Sequence, residues 1–246
     1  MSINTKGIIL AGGSGSRLFP LTKITSKQLL PVYNKPMIYF PLETLVNAGI
    51  KDILIITTEH DLKNFKLLLG NGDQWNVKLE YQTQKKPEGI AQALMLGEKW
   101  INNMPVVLIL GDNLFFGPKF NEDLINAIKN NIGATIFCKR VNDPERFGIV
   151  DFDDDLNILS IEEKPKNPKS EYAVTGLYIY DNSSSSYANT LKKSNRGEFE
   201  ITDINNIYLK KGILKSKFLK EDQVWLDTGT FDALLEASNY IKNNSN

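Results

Sequence analysis

Residues 6–31, KGIILAGGSGSRLFPLTKITSKQLLP, constrain this chain more than any other stretch. The apolar run from Gly7 to Ala11 reads as a buried parallel strand. It feeds directly into Gly12, Gly13, Ser14, Gly15, Ser16 and Arg17. Glycines let the backbone approach a ligand closely, and successive free N–H groups in such a loop form a concave anion site. Arg17 adds a planar, charged fork that suits phosphate oxygens, and Lys27 supplies a second cation further on. Pro20 and Pro31 bracket a segment that cannot be one regular helix. One strand thus delivers an anion cradle, an arginine and a lysine to a single sheet edge.

Two familiar phosphate loops do not fit. A Walker A loop needs Gly-Lys-Ser/Thr at its end, and none follows these glycines. In the dinucleotide fingerprint Gly13 and Gly15 match, but the third glycine position is Leu18 and Pro20 follows. An oxidoreductase that binds NAD is therefore disfavoured.

With 246 residues the chain can bury one large core. Its 29 basic and 29 acidic residues cancel, which gives no basic excess for nucleic acid or an anionic membrane surface. Cys138 is the one cysteine, so no intramolecular disulfide forms, and a reducing cytoplasmic compartment is expected. It reads as an inert thiol inside a strand. The N-terminus has no basic start followed by a long apolar run, so no signal peptide is expected. No stretch approaches the ~20 apolar residues of a membrane span.

Taken in order, the chain alternates strands and helices with short links, which argues for a parallel sheet covered on both faces. Helices are expected over 36–49, around 61–69, from 91 to 100, at 201–209 and over 231–242. Strands are expected at 53–57, 79–82, 105–110, 134–139, 172–180 and 218–225. Residues 147–152 and 158–162 alternate as an antiparallel pair joined by Asp153-Asp154-Asp155, a hairpin tip in water rather than a calcium loop. His60, the only histidine, reads as a surface loop residue without a partner. Gln84, just past a strand, presents a donor and an acceptor suited to a base edge. Asp112 follows the apolar run VVLIL. It either caps the next turn or holds a hard cation against phosphates. Phe115, Phe116 and Phe120 read as packing.

The pattern A-G-G-x-G-x-R-L followed by Lys27-Gln28-Leu29-Leu30-Pro31 resembles the sugar-1-phosphate nucleotidyltransferases, in their thymidylyltransferase branch. Related uridylyltransferases usually carry Glu after that lysine. The resemblance continues through E-K-P at 163–165, A-V-T-G-L-Y at 173–178, R-G-E-x-E-I-T-D at 196–203 and W-L-D-T-G-T at 225–230. It implies an α/β, Rossmann-like fold with a mixed, mostly parallel sheet and an antiparallel sugar-binding insertion. It also implies one domain over 1–246, with a nucleotide part at roughly 1–135, a sugar-phosphate part at roughly 136–230 and a final helix at 231–242.

The same resemblance assigns roles. Gly12, Gly13, Ser14, Gly15, Ser16, Arg17, Gln28, Gln84 and Gly89 bind the nucleotide, with Gln84 and Gly89 at the thymine. Asp112, Gly148, Glu163, Lys164, Val174 and Gly176 bind the sugar phosphate. Arg17, Lys27 and Lys164 are catalytic, and Asp112 and Asp227 hold Mg²⁺. The implied substrates are dTTP and α-D-glucose 1-phosphate, and the products are dTDP-glucose and pyrophosphate, for deoxysugar supply of the dTDP-rhamnose type and surface polysaccharide. A homotetramer is implied. So is a short form without the C-terminal helical extension that can carry a regulatory site. UTP or another sugar phosphate remains an open alternative, because one methyl pocket discriminates by only about 1–3 kcal/mol. A non-catalytic nucleotide-sugar sensor would be marked by loss of Arg17, Lys27, Asp112 or Asp227, and all four are present.

Overall fold

The computed structural model describes residues 3–13 and 15–244. Ser14, expected at the nucleotide, lies outside the described residues. The first half runs β1 (Lys6–Ala11), β2 (Pro31–Val32), β3 (Lys35–Pro36), α1 (Tyr39–Asn47), β4 (Asp52–Thr58), α2 (Leu62–Leu69), β5 (Lys78–Gln84), α3 (Gln92–Ile101), β6 (Val106–Leu110), β7 (Asn113–Phe116) and α4 (Phe120–Lys129). The second half runs β8 (Ala134–Arg140), β9 (Gly148–Phe152), β10 (Ile158–Glu163), β11 (Tyr172–Tyr180), α5 (Ser184–Ala188), α6 (Ile201–Lys210), β12 (Leu214–Phe218), β13 (Val224–Asp227) and α7 (Phe231–Asn244).

The main sheet has the order β10-β9-β11-β6-β1-β4-β5, with β8 on the other edge of β11 and β12 beyond it. Strands β5, β4, β1 and β6 are parallel, with Ile8 opposite both Leu54 and Leu108. Successive side chains of a strand point to opposite faces, so a strand buried on both faces is apolar throughout. Ile9, Ile55 and Ile109 pack under α1, α2 and α4 with Leu42, Phe65 and Leu124. Ile8, Leu54 and Leu108 pack on the other face against Leu94 of α3 and Ile204 and Tyr208 of α6. From β1 the chain moves to β4 and β5, then returns across β1 to β6. The carboxyl ends of β1 and β6 therefore flank a topological switch point, where open α/β sheets bind ligands.

Beyond β6 the sheet becomes antiparallel, and β11 has two partners along one edge. Ala173 pairs with Ile149 of β9, whereas Leu177–Tyr180 pair with β6. The fork between β6 and β9 lies at Thr175 and Gly176. A separate ribbon joins β13 to β7, with Asp227 opposite Asn113. Helix α7 seals this ribbon through Ala237 and Ile241, which cluster with Leu114, Leu226 and Met37.

Several expected boundaries shift. Helix α1 starts at Tyr39 rather than at 36, because Pro36 pairs with Pro31 in a small hairpin. Pro41 lies in its first turn, where a missing N–H breaks no intrahelical bond. Strand β5 extends to Gln84, so that residue ends the strand instead of following it. The single strand expected over 218–225 is two: β12 ends at Phe218, and a turn closed by Gln223 N–H donating to the Lys220 carbonyl precedes β13. The acidic tip behaves as expected, with Asp153 Oδ1 accepting from the backbone N–H of Asp155 and Asn157. Cys138 is buried, and burial pushes its thiol pKa up, which leaves it unreactive.

Candidate active site

The glycine loop leaves β1 at Gly12. A Cβ there would collide with Gln84 Oε1, so the loop passes directly over that side chain. Gly13 faces open space, and Gly15 has φ 61°, a left-handed conformation that glycine adopts without strain. One 3₁₀ turn, Ser16–Leu18, follows, anchored by the buried Leu18, and it presents Arg17 outward. The guanidinium rests on the turn after β13: a Cβ on Gly229 would lie 2.7 Å from Arg17 Nη2.

A second 3₁₀ turn, Lys27–Leu29, carries Lys27, whose Nζ pairs with Asp112 Oδ2. Asp112 stands just past the end of β6. Burial alone would push its carboxyl pKa up, but the Lys27 ammonium and hydrogen bonds from Lys27 and Asn113 outweigh that and hold it below the ordinary range. Asp227 sits beside it for a clear reason. Thr228 donates both its N–H (3.1 Å) and its hydroxyl (2.8 Å) to the Asp112 carbonyl, which ties the two turns together. Burial, then the Asp112 charge, push the Asp227 carboxyl pKa up; Lys27, Arg17 and Arg146 offset this only in part.

Arg17, Asp112 and Asp227 line a cleft of about 200 Å³ at the fork of β11. Of the expected site residues, Arg17, Asp112, Gly148, Glu163, Lys164, Val174, Gly176 and Asp227 line it, whereas Lys27, Gly12, Gly13, Gly15, Ser16, Gln28, Gln84 and Gly89 do not. Glu163 Oε2 accepts from the Thr202 hydroxyl at 2.6 Å, and a Cβ on Gly148 would lie 3.2 Å from that same oxygen. Burial pushes the Glu163 carboxyl pKa up, the Thr202 hydrogen bond opposes it, and the Glu200 charge adds to it. Lys164 has φ 45°, left-handed for a side-chain-bearing residue, held by its N–H donating to the Phe147 carbonyl at 2.9 Å. Such strain clusters at ligand clamps.

Two expected nucleotide residues, Gln28 and Gly89, and one expected sugar-phosphate residue, Gly176, have a structural reason of their own. Gln28 is only 2% exposed and accepts from the Ser26 hydroxyl. Gly89, at φ 106°, lets the backbone of Phe199 pass against it. Gly176 leaves space for Asn113, whose Oδ1 would lie 2.5 Å from a Cβ there. Gln84 is buried at the end of β5, beyond the cleft but under the glycine loop. His60 is 70% exposed, the surface residue expected, but it is not without a partner, since its ring nitrogen lies 3.3 Å from Asp61 Oδ1; it does not line the cleft.

Sequence reasoning missed Asn113, Arg146 and Arg196. Asn113 Nδ2 donates to Asp112 (3.2 Å), while its Oδ1 accepts from Gly176 N–H (3.1 Å) and the Trp225 indole (2.6 Å), so one amide joins three strands at the site. Arg146 reaches Asp227 at 3.5 Å. Segment 196–203 entered only as a motif of the resemblance, with no role assigned, yet Arg196 lines the cleft and bridges Glu163 and Glu200 at 3.3 Å each. Its place in a motif was the available signal.

The carboxylate pair suits a Mg²⁺ ion. That ion is usually held by one or two carboxylates together with substrate phosphates, rather than by a full protein cage. Among the described residues no group of three or more His, Cys, Asp or Glu could hold a metal. No helix among them is long and apolar enough to cross a membrane.

Residues 6–244 match the family model for nucleotidyl transferases. A glucose-1-phosphate thymidylyltransferase of Neisseria gonorrhoeae is 54% identical over 96% of this chain and 82% of its own length. One from Mycolicibacterium smegmatis is 53% identical with the same coverage. Among solved structures, a Bacillus anthracis protein provisionally given the same name, in complex with sucrose, superposes with a TM-score of 0.90 at 45% identity, covering 98% of this chain and 97% of that one. A UDP-glucose pyrophosphorylase complexed with UDP-glucose shares the fold, with a TM-score of 0.85 at 24% identity over 99% of this chain and all of that one. The fold, the cleft and these matches agree: the chain belongs to the nucleotidyl transferase family.

Proposed function

We propose that the protein transfers a thymidylyl group from dTTP to α-D-glucose 1-phosphate, forming dTDP-glucose and pyrophosphate. The observation that carries this reading is the convergence in one cleft of a carboxylate pair, the cations around it and the Glu163–Lys164 wall. The shared name of the most similar relatives supports the choice of substrates.

The nucleophile is a phosphate oxygen with a second pKa of about 6, already ionised at neutral pH, so no general base is needed. That agrees with a site whose cleft holds no histidine. The protein's task is to neutralise and align two polyanions. Arg17 and the glycine-loop amides hold the triphosphate and stabilise charge on the departing pyrophosphate. Lys27 works nearer the transferred group. Lys164 pins the attacking phosphate, and Glu163 accepts sugar hydroxyls beside Gly148, Val174 and Gly176. Asp112 and Asp227 would hold Mg²⁺, which supplies charge screening and orientation at the α-phosphate.

Cytoplasmic operation and a homotetrameric assembly belong to the same reading, and light scattering tests the latter. The reaction is tested by pyrophosphate release from α-D-glucose 1-phosphate with Mg²⁺ and dTTP, UTP, CTP or ATP. Preference for dTTP is expected. Equal use of UTP would remove the thymine assignment, and no release with any triphosphate would remove the reaction.

A further inference from the structure

Gln84 does not stand alone. Its Nε2 donates to Gln92 Oε1 at 2.5 Å, and the same oxygen accepts the backbone N–H of Glu88 at 3.0 Å. Gln92 Nε2 in turn donates to Glu88 Oε2 at 3.1 Å. Lys193 pairs with the other carboxylate oxygen of Glu88. The two ends of an amide look alike in shape, so its orientation follows from its partners. Glu88 supplies both kinds. Its carboxylate has only acceptors and its backbone N–H only donates, so Gln92 is locked in one orientation. Gln84 must then turn its NH₂ toward Gln92. Its own Oε1 is left buried beneath the glycine loop at Gly12, without a hydrogen-bond partner. A buried acceptor in that state calls for a donor.

We infer that Glu88 and Gln92 are positioning residues that set the polarity of Gln84, so that it offers a carbonyl to the base and selects bases with a ring N–H over cytosine. The inference rests on the proposed nucleotide reading of this site. Thymine and uracil carry a ring N–H where cytosine carries a lone pair. An acceptor fixed by a rigid relay attracts the first two and repels the third. Gln92 opens helix α3 and Gln84 closes strand β5, so both ends of the relay sit on regular elements. Glu88 is held by its carbonyl, which accepts the Phe199 N–H at 2.7 Å.

The test compares Kd for dTTP, UTP and dCTP, by calorimetry with Mg²⁺, in the wild type, Glu88→Gln, Gln92→Leu and the swap Glu88→Gln/Gln92→Glu. Affinities keep the test independent of the sugar substrate. Glu88→Gln leaves only the backbone N–H of residue 88 to orient Gln92, and Gln92→Leu removes the relay. Gln92→Leu is expected to cut the preference for dTTP over dCTP by about tenfold, the worth of one hydrogen bond, and Glu88→Gln by less. The swap keeps an acceptor facing Gln84 and is expected to restore the preference, which a purely structural role would not do. Wild-type discrimination in both single variants, or a swap no better than Glu88→Gln, would overturn the inference. A wild type that binds dCTP best would overturn it too. A wild type that binds UTP as well as dTTP would remove the thymine assignment and leave the relay upheld.

Discussion

Asp112 and Asp227 share a cleft and a residue type, but their surroundings set them apart. Asp112 ends the central parallel sheet, where a buried strand aims it at Lys27 and Asn113 provides a further hydrogen bond. Asp227 ends a two-stranded ribbon held against the sheet by Thr228 and α7, and it meets cations only at longer range, Arg146 at 3.5 Å. Burial penalises both charges, but only Asp112 has a contact that reverses the penalty. The parallel half of the site is thus compensated within the protein. The ribbon half carries a charge that the protein's own cations offset only in part.

The largest effect expected is on turnover. Arg17→Ala removes the cation that the proposed mechanism aims at the leaving group and should cost ~10²–10³ in kcat, measured by pyrophosphate release. Near-normal turnover would break the assignment of charge to that wall. Next, Asp112→Asn strips Lys27 of its contact ion pair and should cost about 3 kcal/mol of unfolding free energy in denaturant titrations. A smaller effect is expected at Glu163. Its raised pKa means that it protonates, as pH falls, before an ordinary carboxylate does. KM for α-D-glucose 1-phosphate should therefore begin to rise above the usual carboxylate range. Glu163→Gln should abolish that pH dependence; an unaltered profile would remove Glu163 as the hydroxyl acceptor.

Much of this was legible because parallel strands announce themselves. VVLIL and GIILA are too apolar for an exposed surface, and the candidate site residues Gly12 and Asp112 follow their carboxyl ends. The ribbon half was harder to read. Strand β7 is four residues long and pairs with residues far along the chain, so no local period reveals it. Helix α4 was missed although Phe120, Leu124, Ala127 and Ile128 have helical spacing, because the aromatic cluster read as loop packing. Asn113, Arg146 and Arg196 gave no chemical signal of their own. Their places in the site come from contacts with residues distant in sequence: Gly176 and Trp225 for Asn113, Asp227 for Arg146 and Glu163 for Arg196.

The opposite behaviour of the two carboxylates is tested most directly by thermal unfolding of Asp112→Asn and Asp227→Asn without divalent cations. Asp112 has a depressed pKa, so it adds stability above the ordinary carboxylate pKa and loses it as pH falls through its folded value. Asp227 has a raised pKa, so its ionisation removes stability as pH rises from the ordinary carboxylate value through its folded one. At pH 7 the account predicts a lower Tm than wild type for Asp112→Asn and a higher one for Asp227→Asn. Two shifts of the same sign would contradict it.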